Sequence, residues 1–432
     1  MKNLMIAVMI ALIAAPALWP ASASAQAIPV GSMFRSDPSH TGCYNSPPIT
    51  EVKAQLWRFA TRDKILSSPA IAEGLLYVGG CDDDLYAIDL RTGMPRWQFR
   101  ARHNIESSPA VADGVVYFGC QDKHLYAVDA RTGFEKWRFL TGGDVNSSPT
   151  VAGGIVYFGS GDKHLYAVDA RSGMERWRLK TNKGVTGSPA LAGGLVYVGD
   201  TGGHFFAADA LTGMQRWWFK ADKGFVGSPA VAEGIVYIGD ERGNLYALDA
   251  ATGQQKGLFK ADKGIETSPA FSGGLLFFGS NDKTLYAIDV KAGQIRWRCP
   301  AGDDIRSSPA VAGGMVFFGC DDRDLYALDA ATGQVKWKFR TEKQVRSSPL
   351  VADGVVYVAG MDGTVYALSG IEPAPPPPVP APAPPVPGAP APSPPPAPPA
   401  PAPPTPAPPT PPTPAPPPAP TPVLPPPPAT TR

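Results

Sequence analysis

Residues 67–97 read SSPAIAEGLLYVGGCDDDLYAIDLRTGMPRW, and most of the 432-residue chain consists of variants of this stretch. Its Ser-Pro dipeptide recurs with proline at Pro69, Pro109, Pro149, Pro189, Pro229, Pro269, Pro309 and Pro349, a spacing of 40 residues each time with no insertion. Within one copy, short runs of Val, Ile, Leu, Phe and Tyr are bounded by Gly, Asp and Pro, the pattern of strands joined by tight turns. Four are expected: A (Ile65 to Ala72), B (Leu75 to Gly80), C (Leu85 to Asp89) and D (Arg96 to Arg100). Four strands in about 40 residues make one blade of a propeller. Every A strand carries a proline, which cannot donate to a ladder, so A is expected at a sheet edge, on the inner side facing the central channel.

The two ends of the array show how it closes. A lone D-type strand, Trp57-Arg58-Phe59, stands 40 residues ahead of Trp97, while the last copy stops at Tyr366-Ala367-Leu368-Ser369 with no Thr-Gly and no Trp. The spare strand at the start supplies the strand missing at the end. The expected fold is therefore all-β, an eight-bladed propeller of four-stranded antiparallel blades over residues 52–370, with the N-terminal strand completing the last blade.

The net charge of +1 excludes a strong nucleic-acid footprint. Residues 1–25 combine Lys2, an apolar run and Ala21-Ser-Ala-Ser-Ala25, and read as a secretory signal peptide too short for a stable membrane span. The first cysteine is Cys43, so no lipid-anchoring cysteine follows the expected cleavage site. A leader (26–51) precedes the propeller, and a tail (371–432) holding 35 of the 51 prolines reads as a disordered polyproline spacer. The expected location is periplasmic or secreted. Oxidising surroundings permit disulfides, with Cys43 and Cys81 an open pairing. Cys120 and Cys320 fall at the same turn three blades apart, and Cys299 replaces a core Phe.

The segment Ala87-x-Asp89-x-x-Thr92-Gly93-x-x-x-Trp97 resembles the tryptophan-docking motif of the pyrroloquinoline-quinone (PQQ) type propeller repeat, and it recurs up to Trp337. The resemblance implies that Trp57, Trp97, Trp137, Trp177, Trp217, Trp297 and Trp337 each pack against the Ala and Gly of a neighbouring blade. Gly257 takes the Trp position in blade five, so a looser seam is expected there. The leader Met33-Phe-Arg-Ser-Asp-Pro-Ser-His-Thr-Gly42 is similar to the leader of many such propellers. Compact loops make the chain resemble the BamB-type outer-membrane assembly scaffolds, without their lipid-anchoring cysteine. The resemblance to quinoprotein dehydrogenases implies PQQ as the alternative cofactor. The strict period leaves no inserted loop for a quinone pocket, and there is no Cys-x-x-Cys-His haem site. We therefore expect no catalytic residue, cofactor or metal, and a binding scaffold of the envelope. A ligand-sensing or wall-associated module and a PQQ-dependent dehydrogenase are the alternatives.

Comparison among the copies also marks a candidate binding rim. The position before each Ser-Ser/Gly-Ser-Pro step varies widely: Leu66, Glu106, Asn146, Thr186, Val226, Glu266, Arg306, Arg346. Such variety suits a funnel mouth, since buried sites in a regular ring demand similar volumes. Just upstream, Lys183, Lys223 and Lys263 form a basic arc over three consecutive blades. An anionic envelope protein or polysaccharide is the expected partner of a monomeric ring, alone or within a larger complex.

Overall fold

The computed structural model describes residues 32–372, so the expected signal peptide and all but the first residues of the proline-rich tail lie outside the described residues. The described chain is all-β, with eight blades of four antiparallel strands each, one of which gains a fifth, parallel strand from the leader. Blade one comprises Ala70–Ala72, Leu75–Gly79, Asp84–Asp89 and Pro95–Arg100, and blades two to seven repeat it. Blade eight joins Leu350–Ala352, Val355–Ala359 and Thr364–Ser369 to the N-terminal strand Ala54–Ala60. Trp57 sits opposite Ala367 in that sheet, the register in which Trp97 faces Ala87.

Strand A is the innermost of the four strands in every blade, but it is shorter than the sequence suggests. Only Ala70–Ala72 pairs with strand B, and Pro69 falls just outside the ladder. The preceding segment instead bonds to the neighbouring blade, with Ile105 N–H donating to Gly80 O. Ile65 and its seven counterparts are buried there, as their uniform apolar character requires. Close approach explains a glycine as well: a Cβ on Gly79 would lie 2.2 Å from the Ile105 side chain.

Strands B and C are buried on both faces because each blade is covered by two neighbours. Leu76, Tyr77 and Val78 are inaccessible, as are Leu85, Ala87 and Ile88. At the turn that follows, the Asp89 carboxylate accepts from the N–H groups of Arg91 and Thr92 and from the Thr92 hydroxyl, and the same bonds recur at Asp129, Asp169, Asp209, Asp249 and Asp329. Repetition of Asp-x-x-Thr-Gly is thus repetition of one turn.

Candidate binding surfaces and the plugged centre

Up-and-down connectivity places the D–A connections and B–C turns on one face of the ring and the A–B and C–D turns on the other. The A strands line the middle, where the backbone N–H of Ser68 donates to the Ser108 hydroxyl at 2.9 Å. The same bond links every successive pair of blades, ending with Ser348 N–H to Ser68 Oγ. Eight serines therefore form a closed girdle.

The leader occupies the centre of the ring, which the sequence did not reveal. Its carbonyls accept from the middle N–H of the A strands of blades two, four, five, six and seven: Ser32 from Val111, Pro38 from Leu191, Ser39 from Val231, Thr41 from Phe271 and Gly42 from Val311. His40 Nε2 lies 3.1 Å from the Thr150 hydroxyl, and Ser46 Oγ accepts from Gly354 N–H. The leader thus engages seven of the eight blades, with His40 reaching back to blade three after Pro38 and Ser39 have met blades four and five. A short parallel strand, Cys43–Tyr44, adds to Ala310–Ala312 of blade seven. The Arg35 guanidinium donates to the carbonyls of Pro269 and Pro309. Burial pushes Arg35 down to about 10, and burial together with the Arg35 charge pushes His40 down to about 3. Loss of hydration by the charged form is the common cause.

Above this plug, the varied positions around the funnel are half-buried rather than open, from Leu66 and Glu106 round to Arg346. They divide into two sectors. Over blades six to eight, Arg346 makes a two-bond fork to Asp321 at 2.9 and 2.8 Å, and Arg306 lies 3.3 Å from Glu266, 3.6 Å from Asp304 and 3.6 Å from Asp321. Asn281 donates to Glu266 at 2.6 Å. Over blades three to five the wall is neutral, with Asn146, Thr186 and Val226. Asp321 and Asn281 belong to the first position after the B–C corner, and the sequence reading did not place that position beside the funnel. Its signal was equal variability: Cys81, Gln121, Gly161, Thr201, Glu241, Asn281, Asp321, Met361.

Lys183, Lys223 and Lys263 are exposed on the same face in consecutive D–A connections. Asp84 lies at the start of strand C in blade one. It is fully buried between Arg62 and Arg100, and desolvation holds its carboxyl above the usual range against the pull of those two charges.

The opposite face carries a feature absent from the sequence reading. Met94, Phe134, Met174 and Met214, at one position of the C–D turn in blades one to four, are 67%, 75%, 70% and 63% exposed. Blades five to seven carry Gln254, Gln294 and Gln334 there. Trp218 is a further exposed aromatic, at 56%, on the outer strand of blade four.

Between blades the tryptophans form a belt. Trp97 Nε1 donates to Ala130 O at 3.0 Å, with equivalent bonds from Trp137, Trp177, Trp217 and Trp297. Trp57 donates to Leu90 O, and Trp337 to Ile49 O, where the leader substitutes for the C–D turn that blade eight lacks. At Gly257 the link is missing and the seam between blades five and six holds a cavity of about 320 Å³.

All five cysteines are free, so the open Cys43–Cys81 pairing does not form; Cys299 is buried in the Phe position. Nor do the funnel residues fit a quinone held with a cation. Both arginines are already paired with acidic neighbours. Among the described residues no three His, Cys, Asp or Glu side chains converge as metal ligands. Among the same residues no helix is long and apolar enough to cross a membrane.

Comparison with known proteins accords with this architecture. The family described as outer membrane protein assembly factor BamB matches residues 53–183, 161–297, 259–329 and 304–372. BamB from Moraxella catarrhalis is similar in structure, with TM-score 0.64 and 20% identity over 73% of this chain and 97% of that one. A europium-containing methanol dehydrogenase (TM-score 0.69, 15% identity, 78% and 98% covered) is also similar. So is the quinohemoprotein alcohol dehydrogenase of Comamonas testosteroni (TM-score 0.70, 17% identity, 79% and 80% covered). At such identities these likenesses speak to fold alone. No curated protein sequence matches the chain.

Proposed function

The chain belongs to the family described as outer membrane protein assembly factor BamB, and from that premise we propose that it is a non-catalytic protein-binding scaffold of the bacterial envelope, exported by its N-terminal segment. The observation that carries the reading is the array of Met94, Phe134, Met174 and Met214 on one face. Large apolar side chains left exposed at one position of four consecutive blades cost solubility, and an array of that kind serves to meet a partner. Methionine is suited to that task because its unbranched side chain adapts to different surfaces.

The second contact is the lysine arc on the other face. Lys183, Lys223 and Lys263 stand beside a funnel sector whose own charges are mutually neutralised, and they are exposed cations available to an acidic protein segment. No cofactor enters this function. The centre of the ring, where a substrate channel would otherwise run, is taken by the leader.

The test is in-cell cross-linking of the full-length protein followed by mass spectrometry. We expect envelope assembly proteins to be captured by the wild type. Capture should be lost on replacing Met94, Phe134, Met174 and Met214 by Ser, and weakened on replacing Lys183, Lys223 and Lys263 by Glu, with the thermal midpoint preserved in both. Undiminished capture by both variants would overturn the scaffold reading, as would capture of wall polysaccharide alone.

A further inference from the structure

The seam between blades five and six points to a ligand site that the rest of the ring describes in negative. At seven seams an indole ring is held by three features. Its Nε1–H donates to a main-chain carbonyl, at 3.0 Å for Trp97 and Ala130. It packs on the glycine of the next C–D turn in six of these seams: a Cβ on Gly93, Gly133, Gly173, Gly213, Gly253 or Gly333 would lie 2.5–2.7 Å from a Trp ring atom. It also meets a Tyr or Phe of its own blade, with centroids 5.7–5.9 Å apart in every case.

The eighth seam keeps all three features and lacks the ring. Gly293 has nothing within 4 Å of where its Cβ would stand. The Val290 carbonyl receives neither an N–H nor an O–H among the described residues, whereas Ala130 O accepts from both Tyr77 and Trp97. Tyr237 keeps one ring face stacked on Phe271 and contributes to the cavity. Leu276, Ile288 and Phe259 complete an apolar lining. No other described residue fills the space. Beside that carbonyl and the Tyr237 ring, the one charged lining residue is Lys256, whose ammonium lies 3.7 Å from Asp249, and apolar surface exceeds polar in the lining.

We infer that this cavity binds an indole ring brought by another molecule, with its N–H donated to Val290 O and its face laid on Gly293 against Tyr237. One hydrogen-bond acceptor in a largely apolar slot sets the selectivity. Naphthalene matches the ring's shape but would leave the carbonyl unpaired, and an unmade buried hydrogen bond is costly. This site is on the ring's flank and does not depend on the proposed scaffold surfaces.

The experiment is titration of the full-length protein with indole, followed by ligand-observed NMR and calorimetry, beside two variants. Wild type should bind one indole per chain and prefer it to naphthalene. Gly257→Trp refills the slot from within; its Cβ would meet only the Ala247 Cβ, at 3.5 Å, so the change is tolerated. That variant should weaken indole binding at least tenfold. Trp97→Gly opens the equivalent seam between blades one and two and should raise the stoichiometry to two. Binding of N-acetyltryptophanamide at least as tight as that of indole would identify a tryptophan side chain of a polypeptide as the source of the ring; its exclusion would identify a free indole. Failure of indole to bind wild type, or equal binding by wild type and Gly257→Trp, would overturn the assignment whatever the outcome of the cross-linking.

Discussion

Ser348 donates its backbone N–H to the hydroxyl of Ser68 at 2.9 Å across 280 residues of chain, and so completes the girdle of serines around the axis. Seven links of that girdle join residues 40 apart, and this one joins the two ends of the array. Replacing Ser68 by Ala leaves a buried N–H without an acceptor. We expect a loss of about 1–3 kcal/mol in chemical denaturation. A loss within a few tenths of a kcal/mol would show that the girdle follows from blade packing and does not contribute to it.

The belt predicts opposite outcomes at two aligned positions. Trp177→Ala removes a buried indole and its bond to Ala210 O. It should cost about 3–5 kcal/mol. Gly257→Ala adds a Cβ that meets only the Ala247 Cβ, at an ordinary 3.5 Å, and should be neutral or slightly stabilising. Thermal midpoints of the two variants decide this directly.

The plug makes stability depend on pH. His40 titrates near 6.5 when unfolded and is pushed down to about 3 in the fold. Below pH 6.5 the unfolded chain therefore binds a proton that the folded chain refuses. Stability contributed by neutral His40 is complete above that value and is lost as pH falls toward 3, by up to about 1.4 kcal/mol per pH unit. Denaturation midpoints measured between pH 7 and 4 should fall less steeply in His40→Gln than in wild type.

Gly42 should tolerate no side chain. Its φ is +65°, and a Cβ there would lie 2.1 Å from the Arg35 guanidinium. Gly42→Ala forces either the left-handed backbone or the buried arginine to move. We expect a destabilisation of at least about 2 kcal/mol and faster proteolysis in the leader, read by mass spectrometry of the cleavage sites.

The thiols should be inert in the folded state. Burial pushes Cys81 up to about 11, and Cys120 and Cys320 up to about 12. Thiolate is the reacting form. At pH 8 a thiol reagent should label the half-buried Cys43 first and the other four only on unfolding; rapid labelling of Cys120 would contradict the packing at that turn.

Much of the ring could be read from the chain because each position occurs up to eight times. The period indicated blades, and the misplaced Trp57 strand indicated how they close. Gly257 marked the weak seam, since one exception stands out among seven tryptophans. The same comparison could have singled out Met94, Phe134, Met174 and Met214, but an apolar residue in a turn carries no sign of exposure until its neighbours are known. The funnel network was out of reach for a different reason. Asp321 lies in the B–C turn of blade seven and Arg346 in the connection leading into blade eight, and only the ring brings them together.

Local, repeated and side-chain-encoded information was therefore determined by the sequence alone: the strand pattern, the eight-fold count, the Asp-Thr-Gly turns and the positions of the tryptophans. What occupies the centre was decided only by the tertiary structure. The leader occurs once, so no internal comparison bears on it, and its partners are main-chain N–H groups of Val111, Leu191, Val231, Phe271 and Val311, which every residue but proline possesses. Whether such groups are free to receive a strand of carbonyls depends on the radius of the closed ring, which exists only after all eight blades have met.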